Sequence, residues 1–280
     1  MIFPLPQHRP LATRRNVLSP LMTQDAAIAV ENVSKRFGDG RAALDEVSLT
    51  IRKGELVAVV GPSGSGKTTL LRLINRLADP SAGTVSIGGA DAACLDPVTL
   101  RRSIGYVFQE VGLFPHMTVA ENIAITPRLL GWDKARMAAR VDELLGLVRL
   151  DKGYGARFPH QLSGGERQRV GVARALAAGP DTVLMDEPFA ALDPLTRDAL
   201  GQDYRALHDK LGLTTLMITH DMVEALGLAD RIAVLLDGTV VAEGAPAAMI
   251  DHAHPYVREL MQAPRNIARR VEGLLAGKER

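Results

Sequence analysis

The sequence predicts an α/β protein in which a parallel β-sheet carries helices on its faces. Short apolar runs rich in β-branched residues alternate with amphipathic helical patterns, an arrangement typical of a parallel sheet buried between helices. The early runs follow one another closely and are separated by turn sequences, which favours antiparallel pairing. Between about residues 109 and 165 the strand signal fades and helical patterns dominate. We therefore predict a parallel core, an antiparallel β annex and an inserted helical subdomain.

The predicted strands are short runs rich in Val, Ile, Leu and Thr that are bounded by turn residues. The turns Phe37-Gly38-Asp39-Gly40 and Gly88-Gly89 divide the early part of the chain into closely spaced strands, which we assign to the annex. The later runs are separated by helical patterns and belong to the parallel core. The runs are Ile28–Val33, Val47–Ile51, Leu56–Val60, Thr84–Ile87, Thr182–Met185, Thr214–Thr219 and Ile232–Leu236.

Helices are predicted where apolar residues recur at helical spacing. These segments are Lys67–Leu77, Val141–Val148, Glu166–Ala177, Leu195–Leu211 and Met222–Ala229. We expect a disordered extension over residues 1–25, an α/β domain over 26–262 with its helical subdomain over about 109–165, and a short basic amphipathic helix or tail over 263–280. The apolar residues behind the last prediction are Ile267, Val271, Leu274 and Leu275.

Composition and charge exclude several classes of protein. Of the 280 residues, 46% are hydrophobic and 23% are charged, which is ordinary for a folded globular chain. Lys and Arg number 33 against 32 Asp and Glu, so no large positive field exists to bind nucleic acid, and we expect no nucleic-acid partner. Uncharged stretches such as Leu56 to Gly66 are shorter than the ~18 residues that span a bilayer. The single cysteine, Cys94, excludes an internal disulfide and indicates a reducing compartment.

A phosphate-binding loop follows the run Leu56–Val60. The segment Gly61-Pro62-Ser63-Gly64-Ser65-Gly66-Lys67-Thr68 matches the pattern G-x-x-x-x-G-K-[ST], and a helical pattern begins at Lys67. Glycines let backbone N–H groups approach phosphate oxygens without a Cβ clash, and the helix N-terminus adds partial positive charge. Lys67 is expected to reach the β- and γ-phosphates, and the Thr68 hydroxyl to bind Mg²⁺. We therefore predict a nucleoside triphosphate site, with Thr69 as a further contact.

Two acidic residues, Asp186 and Glu187, follow the buried run Thr182–Met185. Asp186 can hold the Mg²⁺ shell, as a second carboxylate does in P-loop enzymes. Glu187 is placed to orient and activate a water molecule against the γ-phosphate. Taken alone, a solvent-exposed acidic turn before Pro188 would explain the pair equally well. The phosphate loop earlier in the same alternating pattern favours the catalytic interpretation.

The segment Leu162-Ser163-Gly164-Gly165-Glu166 opens the helical pattern that runs to Ala177. Ser163 and Glu166 have the spacing of a capping box, so a purely structural role is one interpretation. A capping box does not need Gly164 and Gly165, which weaken the first turn by up to ~1 kcal/mol each relative to Ala. Two glycines do leave backbone N–H groups open to a phosphate. We therefore predict a second anion site, one that is not filled from within the same chain.

Together these motifs occur in the order found in the ATP-binding subunits of ABC transporters, and the chain resembles that family from about Ala26 to Gln262. The Leu-Ser-Gly-Gly-Glu pentapeptide is the most diagnostic of them. The resemblance implies an ABC ATPase with a P-loop NTPase core that uses ATP and Mg²⁺. The residues that carry it are Gly61–Thr68, Gln109, Leu162–Glu166, Asp186-Glu187, Ala191-Leu192-Asp193 and His220.

The resemblance also implies roles for single residues. Phe37 would stack on adenine, where family members often carry Tyr. Gln109 would complete the Mg²⁺ and water site and sense the membrane partner, and His220 would contact the γ-phosphate. Two copies would enclose two ATP molecules, each phosphate loop facing the partner's Ser163–Glu166, with Asp193 linking the two sites. The structural alternatives are a turn aromatic, a surface glutamine and a strand-end histidine.

Several stretches are similar to the importers of glycine betaine, choline and related osmoprotectants. They are Ile74–Leu77, Asp96–Arg102, Gly112–Met117, Pro127–Trp132, Asp193–Arg197 and His220–Ala225. The resemblance implies four features: a second copy of the chain, separate transmembrane permease subunits, an indirect substrate-binding protein, and a place on the cytoplasmic face of the cell membrane. The apolar run Val111–Met117 would receive a permease helix; an ordinary core crossing is the alternative.

Three other functions compete with osmoprotectant import. An importer ATPase for an amino acid or a polyamine would carry the same ATP motifs. A soluble ABC protein of DNA repair or translation usually has two fused cassettes or a long coiled-coil insertion, and the sequence has neither. A non-catalytic nucleotide-gated module would not need the acid at Glu187.

Overall fold

A computed structural model describes residues 25–38, 40 and 42–276. The predicted extension over residues 1–25 lies outside them, apart from Asp25. The strands in chain order are β1 (Ala26–Arg36), β2 (Ala42–Arg52), β3 (Leu56–Val60), β4 (Ala82–Ile87), β5 (Ala90–Asp91), β6 (Ile104–Val107), β7 (Thr182–Asp186), β8 (Thr214–Thr219), β9 (Arg231–Leu236) and β10 (Thr239–Gly244).

These strands form two sheets. A four-stranded antiparallel sheet has the order β2-β1-β4-β5, and a six-stranded sheet has the order β10-β9-β3-β8-β7-β6. In the larger sheet all strands are parallel except β10, which pairs with β9 antiparallel. The predicted α/β class, with a parallel core and an antiparallel annex, is confirmed.

The helices are α1 (Lys67–Ile74), α2 (Pro97–Ser103), α3 (Val119–Ile123), α4 (Ile125–Leu129), α5 (Lys134–Leu147), α6 (Gly164–Leu176), α7 (Pro194–Leu211), α8 (Met222–Leu228), α9 (Pro246–Ile250) and α10 (Pro255–Ala276). Short 3₁₀ turns lie at Ala92–Cys94, Lys152–Ala156 and Pro159–Gln161. In the part of the chain that the structure describes, no helix is both long and apolar enough to cross a membrane.

Strand β3 lies at the centre of the larger sheet, between β8 and β9, and each of its residues is buried. Leu56, Ala58 and Val60 face one hydrophobic core, while Val57 and Val59 face another. A strand buried on both faces is a continuous apolar run, which explains why the sequence alone located it. Because neighbouring parallel strands end at one edge of the sheet, the loop after β3 lies beside the ends of β7 and β8.

Between β6 and β7 the described chain is helical. Helices α3 to α6 and two 3₁₀ turns fill this region. Leu144 and Leu145 of α5 and Val170 of α6 share the core that also receives Val60 and Met185. The composition of the region agrees with the expected helical insertion, while its limits at residues 109 and 165 remain a prediction.

Strands β5, β6 and β10 were not predicted. Strand β5 is only two residues long. Strand β6 is only four residues long and contains Gly105, where a Cβ atom would lie 2.8 Å from the carbonyl oxygen of Ala175 on α6. The glycine therefore allows α6 to pack closely against the sheet. Because glycine is uncommon within strands, it also made this strand hard to predict from the sequence. Strand β10 is an edge strand formed by the hairpin at Asp237 and Gly238, and its residues are mostly half-buried.

Three helix boundaries differ clearly from the predictions. Helix α5 begins at Lys134, before the predicted Val141, because Asp133 caps it there: its Oδ1 atom accepts from the Arg136 N–H at 2.9 Å. Helix α1 ends at Ile74, before the predicted Leu77, because the chain adopts a positive φ of 49° at Arg76. Helix α10 begins at Pro255 and continues through Pro264, whereas a helix over 263–280 was expected. Buried Val257 and Met261 attach its first turns to the main core. The apolar positions on which that prediction rested, from Ile267 onward, lie outside the described side chains.

Candidate functional site

The predicted phosphate loop connects β3 to α1. Lys67 folds its side chain back over the loop, and its Nζ atom donates to the carbonyl oxygens of Gly61 at 2.8 Å and Pro62 at 2.9 Å. Gly66 at the start of α1 has φ 104° and provides no side-chain cap. The first N–H groups of the helix are therefore free of side-chain capping and can bind an anion.

Two glycines of the loop are required by close packing. A Cβ atom at Gly61 would lie 2.0 Å from the carbonyl oxygen of Leu235, and one at Gly66 would lie 2.3 Å from that of Ala43. At Gly64, by contrast, a Cβ atom would meet nothing within 4 Å. The glycines of the phosphate loop are thus required for two reasons: the backbone conformation of the loop, and the close approach of β2 and β9 to it.

A cleft of about 450 Å³ opens beside this loop. Phe37 forms one wall with its side chain half exposed, and the Lys35 Nζ atom lies 5.6 Å from the centre of its ring. Ala42 and Ala43 were not predicted, because they belong to no motif that could have revealed them. The cleft is lined by Phe37, Ala42, Ala43, Ser63, Gly64, Gly66, Lys67, Thr68, Thr69 and Glu187.

The end of β7 faces the start of α1. The Thr68 hydroxyl lies 3.4 Å from Asp186 Oδ1, to which it donates. Glu187 leaves the strand with a positive φ of 45°, a conformation that costs a non-glycine residue energy and is concentrated at functional sites. Its backbone N–H donates to the carbonyl oxygen of Ile218 at 2.9 Å, so β8 fixes the turn that directs the Glu187 side chain.

Two side chains from distant loops converge on Glu187. Gln109 Nε2 donates to Glu187 Oε2 at 3.1 Å, and His220 Nδ1 lies 3.2 Å from the same oxygen. Gln109 follows β6, Glu187 follows β7 and His220 follows β8. The structure thus brings together the three residues whose proximity the resemblance implied.

Burial and charge alter the ionisation of the groups beside the loop. Burial raises the pKa of the Asp186 carboxyl, and the charge of Glu187 raises it further. Burial also lowers the pKa of the Lys67 ammonium, although Glu187 and Asp186 oppose that change. Two adjacent carboxylates therefore share a partly buried site, an arrangement that a cation stabilises.

Helix α6 begins with the capping box that the sequence predicted. Ser163 Oγ accepts from the Glu166 N–H at 3.3 Å, and Glu166 Oε2 accepts from the Ser163 N–H at 2.7 Å. Gly165 has a packing role as well, because a Cβ atom there would lie 2.9 Å from Thr196 Cγ2. Within the described chain, Ser163, Gly164, Gly165 and Glu166 are not among the residues that line the cleft.

Asp193 is exposed and caps α7, its Oδ1 atom accepting from the Thr196 N–H at 3.1 Å. Like the start of α6, it does not line the cleft among the described residues. The hydrogen bonds from the Thr196 side chain and backbone lower the pKa of Asp193. Its part in linking two sites therefore stays a prediction.

Sequence reasoning missed three polar residues around the site. Tyr154 donates its hydroxyl to Glu166 Oε1 at 2.6 Å. Burial, together with the charge and hydrogen bond of Asp186, raises the pKa of the Tyr106 hydroxyl. Arg197 bonds to the loops that follow β7 and β8. No local pattern distinguishes them, because each acts on a residue of another element.

Comparisons with known proteins agree with this geometry. The family model described as "ABC transporter" matches residues 44–190. The glycine betaine/carnitine/choline transport ATP-binding protein OpuCA of Bacillus subtilis is 47% identical over 246 residues, covering 88% of this chain and 65% of the relative. The sulfate/thiosulfate import ATP-binding protein CysA 2 of Agrobacterium fabrum is 51% identical over 221 residues, covering 78% of this chain and 64% of the relative.

A solved structure provides the same fold. It is the dimeric, post-hydrolysis state of the ATP-binding cassette MJ0796 bound to ADP and Pi, with a TM-score of 0.71 and 36% identity, covering 78% of this chain and 98% of that one. The chain thus spans somewhat less than two thirds of the length of the two relatives above and nearly all of the solved cassette. From the family match, the phosphate loop and the converging residues around Glu187, we conclude that the chain belongs to the ABC transporter family.

Proposed function

We propose that this chain is the ATP-hydrolysing subunit of an ABC importer, that two copies close around two ATP molecules, and that hydrolysis drives uptake through separate membrane subunits. The single observation that carries the proposal is the convergence of Gln109 Nε2 and His220 Nδ1 on Glu187 Oε2, at 3.1 and 3.2 Å. A surface acidic turn needs no such arrangement. An acid that activates water needs to be held in one orientation.

ATP would occupy the cleft beside the phosphate loop. The N–H groups of Gly61 and of Ser63–Thr69 surround the phosphates, and Phe37 stacks on the adenine from the cleft wall. Lys67 at present donates to two carbonyl oxygens of its own loop. A phosphate group offers that buried ammonium a charged acceptor in place of neutral ones, which favours binding.

The residues around Asp186 fit a magnesium ion. Thr68, Gln109 and Asp186 would supply oxygen ligands, which Mg²⁺ prefers, and Mg²⁺ usually takes only one or two carboxylates beside phosphate oxygens and water. In this structure the Thr68 hydroxyl and Asp186 Oδ1 lie 3.4 Å apart beside the phosphate loop, which suits such an ion. When bound, the ion supplies neutralisation of the charge on the β- and γ-phosphates.

Hydrolysis is phosphoryl transfer to water. The Glu187 carboxylate accepts a proton from the attacking water as its oxygen bonds to the γ-phosphorus, and the bond to the bridging oxygen of ADP breaks. Gln109 and His220 hold Glu187 in place, and His220 contacts the γ-phosphate. The positive φ of Glu187 directs the carboxylate out of the strand and toward the cleft that it lines.

A second copy of the chain would complete each site. Ser163, Gly164, Gly165 and Glu166 lie at the start of a 13-residue helix and do not line the cleft in the described part of their own chain. A phosphate presented by another copy can bind to this helix start. The dimeric form of the solved cassette supports the pairing of two copies. Asp193 then links the two sites.

The permease would dock on the surface near the Gln109 loop. A groove of about 390 Å³ lies there, lined by residues that include Tyr106, Phe108, Phe114, Ile125 and Arg174. Phe108 and Phe114 are each 45% exposed, and exposed aromatic side chains are typical of a docking surface. Asn122 holds this loop, its Oδ1 atom accepting from the Phe114 N–H at 2.8 Å. Docking there places the membrane partner next to Gln109, on the cytoplasmic face of the membrane.

For the transported solute we propose glycine betaine, choline and related quaternary amines. OpuCA, whose name refers to these solutes, is 47% identical to the chain over 246 residues. CysA 2, named for sulfate and thiosulfate, is 51% identical over a shorter 221 residues, and it supports a second candidate, an importer of an oxyanion. Overall identity follows the ATP machinery that all importers share, so the substrate must be tested directly.

The test is ATP hydrolysis by the chain reconstituted in liposomes with the permease encoded beside it and the cognate binding protein. Glycine betaine, choline, sulfate, an amino acid and a polyamine are added separately. We expect stimulation by a quaternary amine alone. Stimulation by sulfate would support the second candidate. Stimulation by an amino acid or a polyamine would support an importer of that solute instead. A chain that hydrolyses ATP but binds no permease would contradict the transport function.

A further inference from the structure

Arg197 on α7 bonds to two loops of the site at once. Its Nη1 atom donates to Asp221 Oδ2 at 3.0 Å. Its Nη2 atom donates to the carbonyl oxygens of Ala190 at 3.3 Å and Leu192 at 3.1 Å. The guanidinium is only partly exposed, so solvent competes weakly for these bonds.

The two loops carry different functional residues. Asp221 directly follows His220, and Ala190 and Leu192 belong to the segment between Glu187 and Asp193. Arg197 therefore connects two loops with different roles. One carries His220, which is assigned to the γ-phosphate of the same chain's site, and the other leads to Asp193, which is assigned to the site of the second copy.

The backbone around His220 is held from the other side as well. The Asp221 N–H donates to Thr219 Oγ1 at 3.0 Å, and Asp221 Oδ1 accepts from the Val223 N–H at 2.8 Å. One carboxylate oxygen of Asp221 thus caps α8 while the other accepts from Arg197. Because both oxygens are engaged, a shift of Arg197 would be transmitted to the peptide that carries His220.

The position of Arg197 is unfavourable for helix α7 itself. It lies in the first turn after Pro194, where the helix has partial positive charge, and no acidic residue of α7 lies in that turn. A planar guanidinium can bond to a carboxylate and to carbonyl oxygens at the same time, which an ammonium cannot do with the same geometry. The three contacts, and not helix stability, account for an arginine here.

We propose that Arg197 is a positioning residue that fixes the His220–Asp221 corner relative to the segment Ala190–Asp193. The position of His220, which contacts the γ-phosphate, is then fixed relative to that of Asp193, which contacts the second site. The inference rests on the proposed function, which assigns His220 and Asp193 to these contacts.

The experiment compares Arg197→Met and Arg197→Lys with a matched control on the same helix. Arg205 pairs with Asp209 and Asp230 at 2.9 Å and donates to the carbonyl oxygen of Leu228 at 2.9 Å, but it touches neither loop of the site in the described structure. Arg205→Met therefore removes two ion pairs and one carbonyl contact of α7 without altering either loop of the site. For each variant, kcat and KM for ATP hydrolysis, the Kd of the isolated subunit for a fluorescent ATP analogue, and Tm are measured.

We expect Arg197→Met to lower kcat about tenfold or more, with the Kd of the isolated subunit unchanged within about twofold, since the phosphate loop is untouched. Arg197→Lys should recover part of the rate, because its ammonium can still pair with Asp221. Asp221→Asn retains the cap on α8 and should add little to the loss in Arg197→Met, since Arg197→Met already breaks the bond between Arg197 and Asp221. Arg205→Met should lower Tm to a similar extent while kcat stays within about twofold.

Two outcomes would overturn the inference. One is an Arg197→Met variant with the kcat and KM of the unchanged protein; the other is an equal loss of kcat in Arg205→Met and Arg197→Met that follows Tm. If Arg197→Met does not fold, Arg197→Lys provides the test. A wild-type kcat in Arg197→Lys would contradict positioning by the planar guanidinium. Hydrolysis by the unchanged chain and its loss in Glu187→Gln preserve the proposed function whichever way Arg197 behaves.

Discussion

The Nδ1 atom of His220 lies 3.2 Å from Oε2 of Glu187, the same oxygen that accepts from Gln109 Nε2 at 3.1 Å. With a proton on Nδ1, both contacts are hydrogen bonds to one carboxylate oxygen. Glu187 is therefore oriented by the loops that follow β6 and β8, while its own backbone turn is fixed by Ile218. An acid held from three elements is suited to accept a proton from a water molecule at a defined place.

Glu187→Gln should lower kcat by about 10²-fold or more, because the amide keeps the shape of the side chain but cannot accept the proton. Affinity of the subunit for ATP should stay within about twofold, since Lys67 and the loop N–H groups are intact. Phosphate release and titration with a fluorescent ATP analogue measure the two quantities. Glu46→Gln, at an exposed carboxylate of β2, is the control. A variant that retains the full rate would exclude Glu187 as the general base.

Gly66→Ala should destabilise the protein by about 3 kcal/mol or more. Its Cβ atom would lie 2.3 Å from the carbonyl oxygen of Ala43 and 2.7 Å from Leu44 Cδ2, and the residue has φ 104°. Gly64→Ala is the matched control, because φ is 80° there but a Cβ atom meets nothing within 4 Å; it should cost only about 1–2 kcal/mol. Urea unfolding gives both values. Equal losses would mean that backbone strain, and not the clash, decides the cost.

Tyr154→Phe should lower the free energy of unfolding by about 1 kcal/mol and weaken ATP-dependent dimerisation. The Tyr154 hydroxyl donates to Glu166 Oε1 at 2.6 Å, and this bond is the first cause of the lowered pKa of Glu166. Without the Tyr154 hydroxyl, the Glu166 side chain is held less firmly in the capping box, and Ser163 is less well ordered. Dimerisation is measured by size-exclusion chromatography in the Glu187→Gln background. Tyr256→Phe on α10 is the control, and identical elution of both variants with ATP would exclude this role for Tyr154.

Glu224 should make stability depend on pH. Burial raises its pKa from 4.5 to about 7, and the nearby Asp221 adds to this rise, while the Thr219 hydroxyl, Arg197 and His220 oppose it. At pH values between these two pKa values, Glu224 is protonated in the folded protein and ionised in the unfolded chain. The stabilisation is therefore complete below about pH 4.5 and is lost as pH rises through about 7, by ~3 kcal/mol at most.

Glu224→Gln removes this titration and leaves an acceptor for Thr219. The variant should gain stability relative to the unchanged protein as pH rises from 5 to 8, by about 2–3 kcal/mol. Urea unfolding at several pH values gives the difference. Glu259→Gln, at an exposed carboxylate of α10, should give a flat difference. A flat difference for Glu224→Gln too would show that the Glu224 pKa is not raised in the folded protein.

Part of the fold and of the site could be read from local sequence. The run Leu56–Val60 is apolar because β3 is buried on both faces, and that alone located the central strand. The glycine spacing, Lys67 and Thr68 then defined the phosphate loop, since its backbone conformation depends on those residues themselves. The capping box at Ser163 could be predicted for the same reason, because its two hydrogen bonds join residues three positions apart.

Contacts between elements were decided only by the tertiary structure. Gln109 and Glu187 are 78 positions apart, and the order of the strands in the sheet places the loops that carry them side by side. The same holds for Arg197 and Asp221, whose ion pair joins the start of α7 to the start of α8. Local sequence determined the phosphate loop and the buried strands because periodicity and backbone conformation are local properties. Which side chains meet around Glu187 depends on how distant strands pair, and no local pattern encodes that.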